Sequence, residues 1–143
     1  MSIKRSAADA AFSDAVRAAA DYTCAWCGIQ KLPTGRRGGS GMELSHRYSR
    51  RHKNIRYDTL NADCLCTGCH RKFGESPIEA MDWLLRTAGA GQIELLIEKK
   101  NTIAKVSKAE EKEIAKHYRE QLKIVEAKRA AGLQGPIEIE SYQ

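Results

Sequence analysis

The sequence predicts an α+β chain, mainly helical, with a zinc-stapled middle segment of short strands and helices at both ends. Three observations carry that prediction. Four of the five cysteines form two Cys-x2-Cys pairs, Cys24/Cys27 and Cys66/Cys69. Before and after these pairs apolar residues recur at helical spacing, whereas the stretch between them is short-period and punctuated by glycine. Charge gathers there too: residues 31–72 hold ten Lys/Arg and three acids, and the remainder holds 14 basic and 15 acidic groups.

With 143 residues, 42% of them hydrophobic and 29% charged, the chain suits one soluble domain spanning 1–143 rather than a disordered tail. Aromatic residues make up 6%, so the core must rest on Ala, Leu, Ile and Val. No apolar run approaches the ~20 residues of a membrane span. The N-terminus lacks the apolar stretch of a secretory signal, which makes a cytoplasmic address the expectation.

The first helix is expected over 6–20, capped by Ser6, with Ala8, Phe12, Val16 and Ala19 toward the core. Short strands are expected at Met42–Arg47 and Ala62–Leu65, then a short helix from Thr67 to Phe73. The run Gly35-Arg36-Arg37-Gly38-Gly39-Ser40-Gly41 reads as a connector, because it lacks the Gly-Lys-Ser/Thr ending of a phosphate-binding loop. Ser76-Pro77 opens another helix, whose buried stripe is expected to be Ile78, Met81 and Leu85, widened by Leu84 and flanked by Trp83. Gly89 and Gly91 should break it, leaving Ile93, Leu95, Leu96 and Ile97 as a further buried segment. Ser107 caps a long helix to about Ala131, with Ile114, Tyr118, Leu122 and Val125 facing inward. The tail 132–143 alternates at Ile137 and Ile139 but shows no evident partner.

A two-residue gap lets both sulfurs of a knuckle face one ion, and two knuckles complete a tetrahedral site. Cys24, Cys27, Cys66 and Cys69 are therefore expected to hold a structural zinc. Disulfides are the alternative, disfavoured without a secretory signal. Cys64 is left as a buried small hydrophobe. Four thiolates and one Zn²⁺ lower the formal charge from +6 to about +4.

The basic middle suggests a polyanion as partner, most simply nucleic acid. Arg47, Arg50, Arg51, His52, Lys53 and Arg56 are the candidate DNA contacts, with Tyr48 and Tyr57 interleaved to stack on bases or sugars. Lys108, Lys112, Lys116, Arg119 and Lys123 share one face of the long helix. That face reads first as solvated, with DNA tracking as the alternative. His117 reads as a surface histidine.

Within this block stand Ser45-His46, then Asn61, then Cys66-Thr67-Gly68-Cys69-His70. A His, an Asn and a final His in this order, wrapped in paired Cys-x2-Cys, resemble the HNH endonuclease family of the ββα-metal fold, in its zinc-knuckle subgroup. The likeness covers about residues 22–74. Ser45-His46-Arg47-Tyr48-Ser49-Arg50-Arg51-His52 and Arg56-Tyr57-Asp58 further resemble small phage-encoded members of the recombination endonuclease group. The resemblance implies a metal-dependent DNA endonuclease or nickase, with His46 as general base, Asn61 fixing the loop or orienting His46, and His70 holding Mg²⁺ or Mn²⁺. Many members place an Asp or His just before the base as second metal ligand. Ser45 stands there, a weak ligand, and His52 or Asp63 are substitutes. The alternative is a non-catalytic zinc-containing DNA-binding protein derived from the same fold. One such site cuts one strand at a time, so double-strand cleavage would call for sequential nicks or a homodimer.

Overall fold

The computed structural model describes residues 3–34 and 41–143. The connector expected at 35–41, with Arg36 and Arg37, falls almost wholly outside them. Among the described residues the chain forms five α-helices and a two-stranded sheet, a helix-rich α+β arrangement. No described helix is long and apolar enough to cross a membrane.

Helix α1 spans Ala7–Ala19. A reciprocal capping box begins it: Asp9 N–H donates to Ser6 Oγ at 3.0 Å, and Ser6 N–H donates to the Asp9 carboxylate at 2.7 Å. Its small alanines allow close approach of helix α5, Lys108–Ala130, capped by Ser107. Between them lies a core of Ala8, Ala11, Phe12, Ala15, Ile114, Ala115 and Tyr118, with Tyr57 and Ala62 from the middle of the chain. The Phe12 and Tyr118 rings lie 4.7 Å apart. After α1 the backbone reverses through Asp21 and Tyr22, both in the left-handed region at φ 54° and 50°. The Asp21 carbonyl accepts from Gln30 and its carboxylate from the Gly135 N–H, contacts that offset the cost of that conformation.

Strands β1 (Met42–His46) and β2 (Ala62–Cys66) pair antiparallel, with Met42 opposite Cys66 and His46 opposite Ala62. Helix α2 (Thr67–Glu75) follows β2 directly, two residues longer at its end than expected. The second Cys-x2-Cys therefore straddles a strand-to-helix junction.

Helix α3 (Pro77–Thr87) is turned away from the orientation its stripe predicts. Ile78 is 85% exposed, with Met81 and Leu85 each at 47%, while Ala80, Trp83 and Leu84 are buried. The Trp83 ring stacks on Trp26 of the first knuckle at 4.9 Å and 8°, and Phe73 meets it edge-on. Burying an Ile yields about 1.5–3 kcal/mol. A Trp buries ~150–250 Å² and gains about 0.5–1.5 kcal/mol more from ring stacking. The indole decides which face turns inward. Gly89, at φ +83°, starts helix α4 (Ala90–Asn101), and Gly91 lies inside it rather than breaking the chain. Of the expected buried segment only Leu96 is buried; Ile93 is half-buried and Leu95 and Ile97 are exposed.

The tail does have a partner. Ile137 is buried with Ala18, Ala19 and Val125, and its N–H donates to the Ala19 carbonyl at 2.8 Å. Further on, Tyr142 N–H donates to the Tyr118 hydroxyl and the Gln143 side chain accepts from Tyr57 N–H. Residues 135–143 thus run across α1 and α5 and tie both to the middle segment.

Candidate metal centre and active-site cavity

The ligating sulfurs of Cys24, Cys27, Cys66 and Cys69 lie within 4.8 Å of one another. Zn–S bonds of about 2.3 Å in a tetrahedron imply sulfurs ~3.8 Å apart. Cys27 Sγ and Cys66 Sγ are 3.8 Å apart, so the set fits such an ion. Each pair forms the same N–H···S turn: Cys27 N–H points to Cys24 Sγ at 3.5 Å, and Cys69 N–H to Cys66 Sγ at 3.4 Å. Burial pushes the Cys24 thiol up, yet backbone donors at Cys27, Cys66 and Trp26 outweigh it and bring the group down to about 7. The fifth cysteine behaves oppositely: burial, with the nearby Cys24, pushes the Cys64 thiol up to about 12, as suits an inert core residue. The four cysteines can hold a metal ion such as zinc, joining the start of the middle segment to its end.

The hairpin and α2 form one side of a cavity of about 520 Å³, and α1 forms the other. His46 at the end of β1 and His70 in α2 both line it. His46 Nε2 lies 3.0 Å from the Arg56 carbonyl. A carbonyl only accepts, so Nε2 carries the hydrogen and Nδ1 keeps its lone pair. Burial holds this imidazole below its ordinary value; the Arg56 carbonyl and Asp9 pull it partly back, and the charges of Arg50 and Arg56 lower it further. His46 is therefore neutral at pH 7 and able to accept a proton.

His70 Nδ1 lies 2.8 Å from Glu43 Oε1, which leaves Nε2 as its available ligand atom. Hydrogen bonds from Thr67 and then His70 hold the Glu43 carboxyl below the usual carboxylate range, against the opposing effect of burial. A carboxylate on the far nitrogen is the arrangement that orients a metal-ligating histidine. Among the described residues, however, only the four cysteines bring three or more ligating side chains together. An ion at His70 would complete its shell with water and phosphate.

Asn61 is fully buried, and its side chain makes no hydrogen bond to His46. Its Oδ1 accepts from Tyr48 N–H at 2.7 Å, and its Nδ2 donates to the carbonyls of Tyr48 and Ile55 at 3.0 and 3.2 Å. Of the two roles expected, it performs the loop-fixing one. Ser45 is 1% exposed, sits opposite Asp63 in the ladder, and does not line the cavity.

The basic loop is less free than its composition suggests. Arg47 makes a bidentate pair with Asp63 at 2.9 and 3.1 Å, which also removes Asp63 as a substitute ligand. The Arg56 guanidinium is buried against the Asp9 carboxylate, with Nε at 2.9 Å from Oδ1. Tyr57, expected to stack on DNA, is 1% exposed and packs edge-on against Phe12. Arg51 and Lys53 remain exposed, and His52, half-buried against the edge of Tyr48, stands outside the cavity. Arg50 lines the cavity, with its Nη1 3.5 Å from Asp9.

Comparison with family models, curated proteins and solved structures gives no match.

Sequence reasoning missed Glu43, Asp9, Arg5 and Arg17, all of which line the cavity. Asp9 carried only the signal of a capping residue. Glu43 offered none: strand alternation assigns it the face of Ser45 rather than that of His46. Nothing local to Arg5 or Arg17 foretells that α1 crosses β1.

Proposed function

We propose that this chain is a metal-dependent DNA endonuclease or nickase of the HNH (ββα-metal) type. One observation carries the reading: His46 and His70, 24 residues apart, line one cavity, and each has its other ring nitrogen held by an oxygen acceptor. That leaves one nitrogen as a base and another as a ligand, the division of labour phosphodiester hydrolysis needs.

In this reading a water aligned with the phosphorus gives its proton to His46 Nδ1 as its oxygen bonds phosphorus and the P–O3′ bond breaks, the leaving O3′ taking a proton from solvent. The Arg56 carbonyl accepts the hydrogen bond from Nε2–H and steadies the imidazolium that results. Arg50 and Arg5 place positive charge beside the phosphate. His70, oriented by Glu43, would hold Mg²⁺ or Mn²⁺, which supplies charge neutralisation at the phosphate and the leaving oxygen. The four-cysteine zinc is scaffolding. A non-catalytic DNA-binding protein is the second reading, and burial of Ser45 away from the cavity favours it.

Nicking of supercoiled DNA with magnesium, manganese or no divalent ion separates the two. Wild type should nick only with metal, and His46→Ala should lose at least 100-fold in rate. Glu43→Gln should require about 10–100-fold more metal. Binding without cutting by every protein would leave the non-catalytic reading.

A further inference from the structure

A second groove, of about 310 Å³, runs between the start of α1 and α5 and is not used by the chemistry above. Lys108, Lys112 and Arg119 line it from α5, and all three are exposed. They form no ion pair among the described residues. One carboxylate, Glu111, faces the same groove, leaving a local excess of two positive charges. Ser6 lines this groove, and its neighbour Arg5 lines the cavity that holds His46 and His70. The two depressions therefore flank the beginning of α1, with the exposed Arg5 on the cavity side.

We infer that the DNA phosphate backbone continues from the His46 cavity past Arg5 onto the Lys108–Lys112–Arg119 face of α5. The inference rests on the nuclease reading and extends it to a second contact surface. Lys108 and Arg119 are 11 residues apart, about 16 Å along a helix rising ~1.5 Å per residue. That equals about five base pairs at ~3.4 Å each, so the cations are spread along a backbone rather than gathered around one phosphate. The groove floor is Ala7, Ala8 and Ala115, with no aromatic or long aliphatic chain to enter a bilayer. Free charge also matters: Arg47 and Arg56 are committed to Asp63 and Asp9, whereas these three cations are available.

The test uses the full chain without added magnesium or manganese, and measures affinity for 8-bp and 30-bp duplexes across a salt series. In the triple variant Lys108→Ala, Lys112→Ala, Arg119→Ala, affinity for the 30-bp duplex should fall about 10–100-fold at low salt. The slope of log K against log salt should shrink by about 2–3, at ~0.9 per lost phosphate contact. The 8-bp duplex, with fewer phosphates to lay along both surfaces at once, should lose less affinity than the 30-bp duplex. Glu111→Gln should tighten the long duplex several-fold, a gain no folding defect could mimic. If wild type binds here and nicks once metal is added, but neither variant changes the long-duplex affinity or slope, this inference is overturned and the nuclease reading stands. If the triple variant loses binding to phosphatidylserine vesicles and keeps DNA, the face belongs to a membrane and the inference fails. If wild type binds no DNA of either length, both fall together.

Discussion

The backbone carbonyl of Arg56 lies 3.0 Å from His46 Nε2, while the guanidinium of the same residue is buried against Asp9. A single residue thus joins the proposed base to the start of α1. Its carbonyl selects the His46 tautomer, and its side chain holds that carbonyl in place through an element 47 residues away in sequence.

The pH profile should report this arrangement. Burial keeps His46 below the ordinary value of about 6.5, so the acid limb of nicking activity should have its midpoint below 6.5. Stability follows the same sign. Below 6.5 the unfolded histidine takes up a proton that the folded one resists, so the His46 contribution is complete above about 6.5. It is lost as pH falls through the lower folded value. Thermal melts from pH 8 to pH 5 of wild type and His46→Gln check this: the variant should lose less stability on acidification. A nicking midpoint above 6.5 would contradict the burial argument.

Removing one partner of the buried Asp9–Arg56 pair should be severe. Both side chains are nearly inaccessible, at 5% and 7% exposure. Asp9→Asn should cost about 3–5 kcal/mol in denaturant unfolding, because it strands a buried guanidinium. The amide also keeps one acceptor oxygen where the carboxylate has two, so it cannot serve both Arg56 and the Ser6 N–H of the α1 capping box. Arg47→Ala, by contrast, breaks a partly accessible pair with Asp63 and should cost less. Equal costs would mean that the Asp9 network has no special weight.

Zinc content is the direct check on the four-cysteine centre. Purified protein should carry about one zinc per chain, and Cys27→Ser should lose it together with much of the cooperative melt. Cys64→Ala should keep the metal, since that thiol is a buried core residue rather than a ligand. Loss of zinc on Cys64→Ala alone would revise the ligand set.

What could be read from the chain alone was whatever is written in short spacings. The Cys-x2-Cys pairs, the serine caps at 6 and 107, the two strands, and the inward stripe Ile114, Tyr118 and Val125 are all local patterns. Each is decided within a turn or two of backbone. The face of α3 was not legible, because a 3–4 spacing of Ile78, Met81 and Leu85 competes with one Trp83 whose stacking partner, Trp26, lies 57 residues earlier. Nor was the use of charge: in composition Arg47, Arg50 and Arg56 look alike, yet Asp63 takes up Arg47, Asp9 buries Arg56, and Arg50 reaches Asp9 from the cavity. Spacing settled which segments are helix, strand and knuckle. Only the packing of α1 across β1 decided which side chains share the cavity, because ion pairs, ring stacks and cavities are made by residues that the fold, not the order of the chain, makes neighbours.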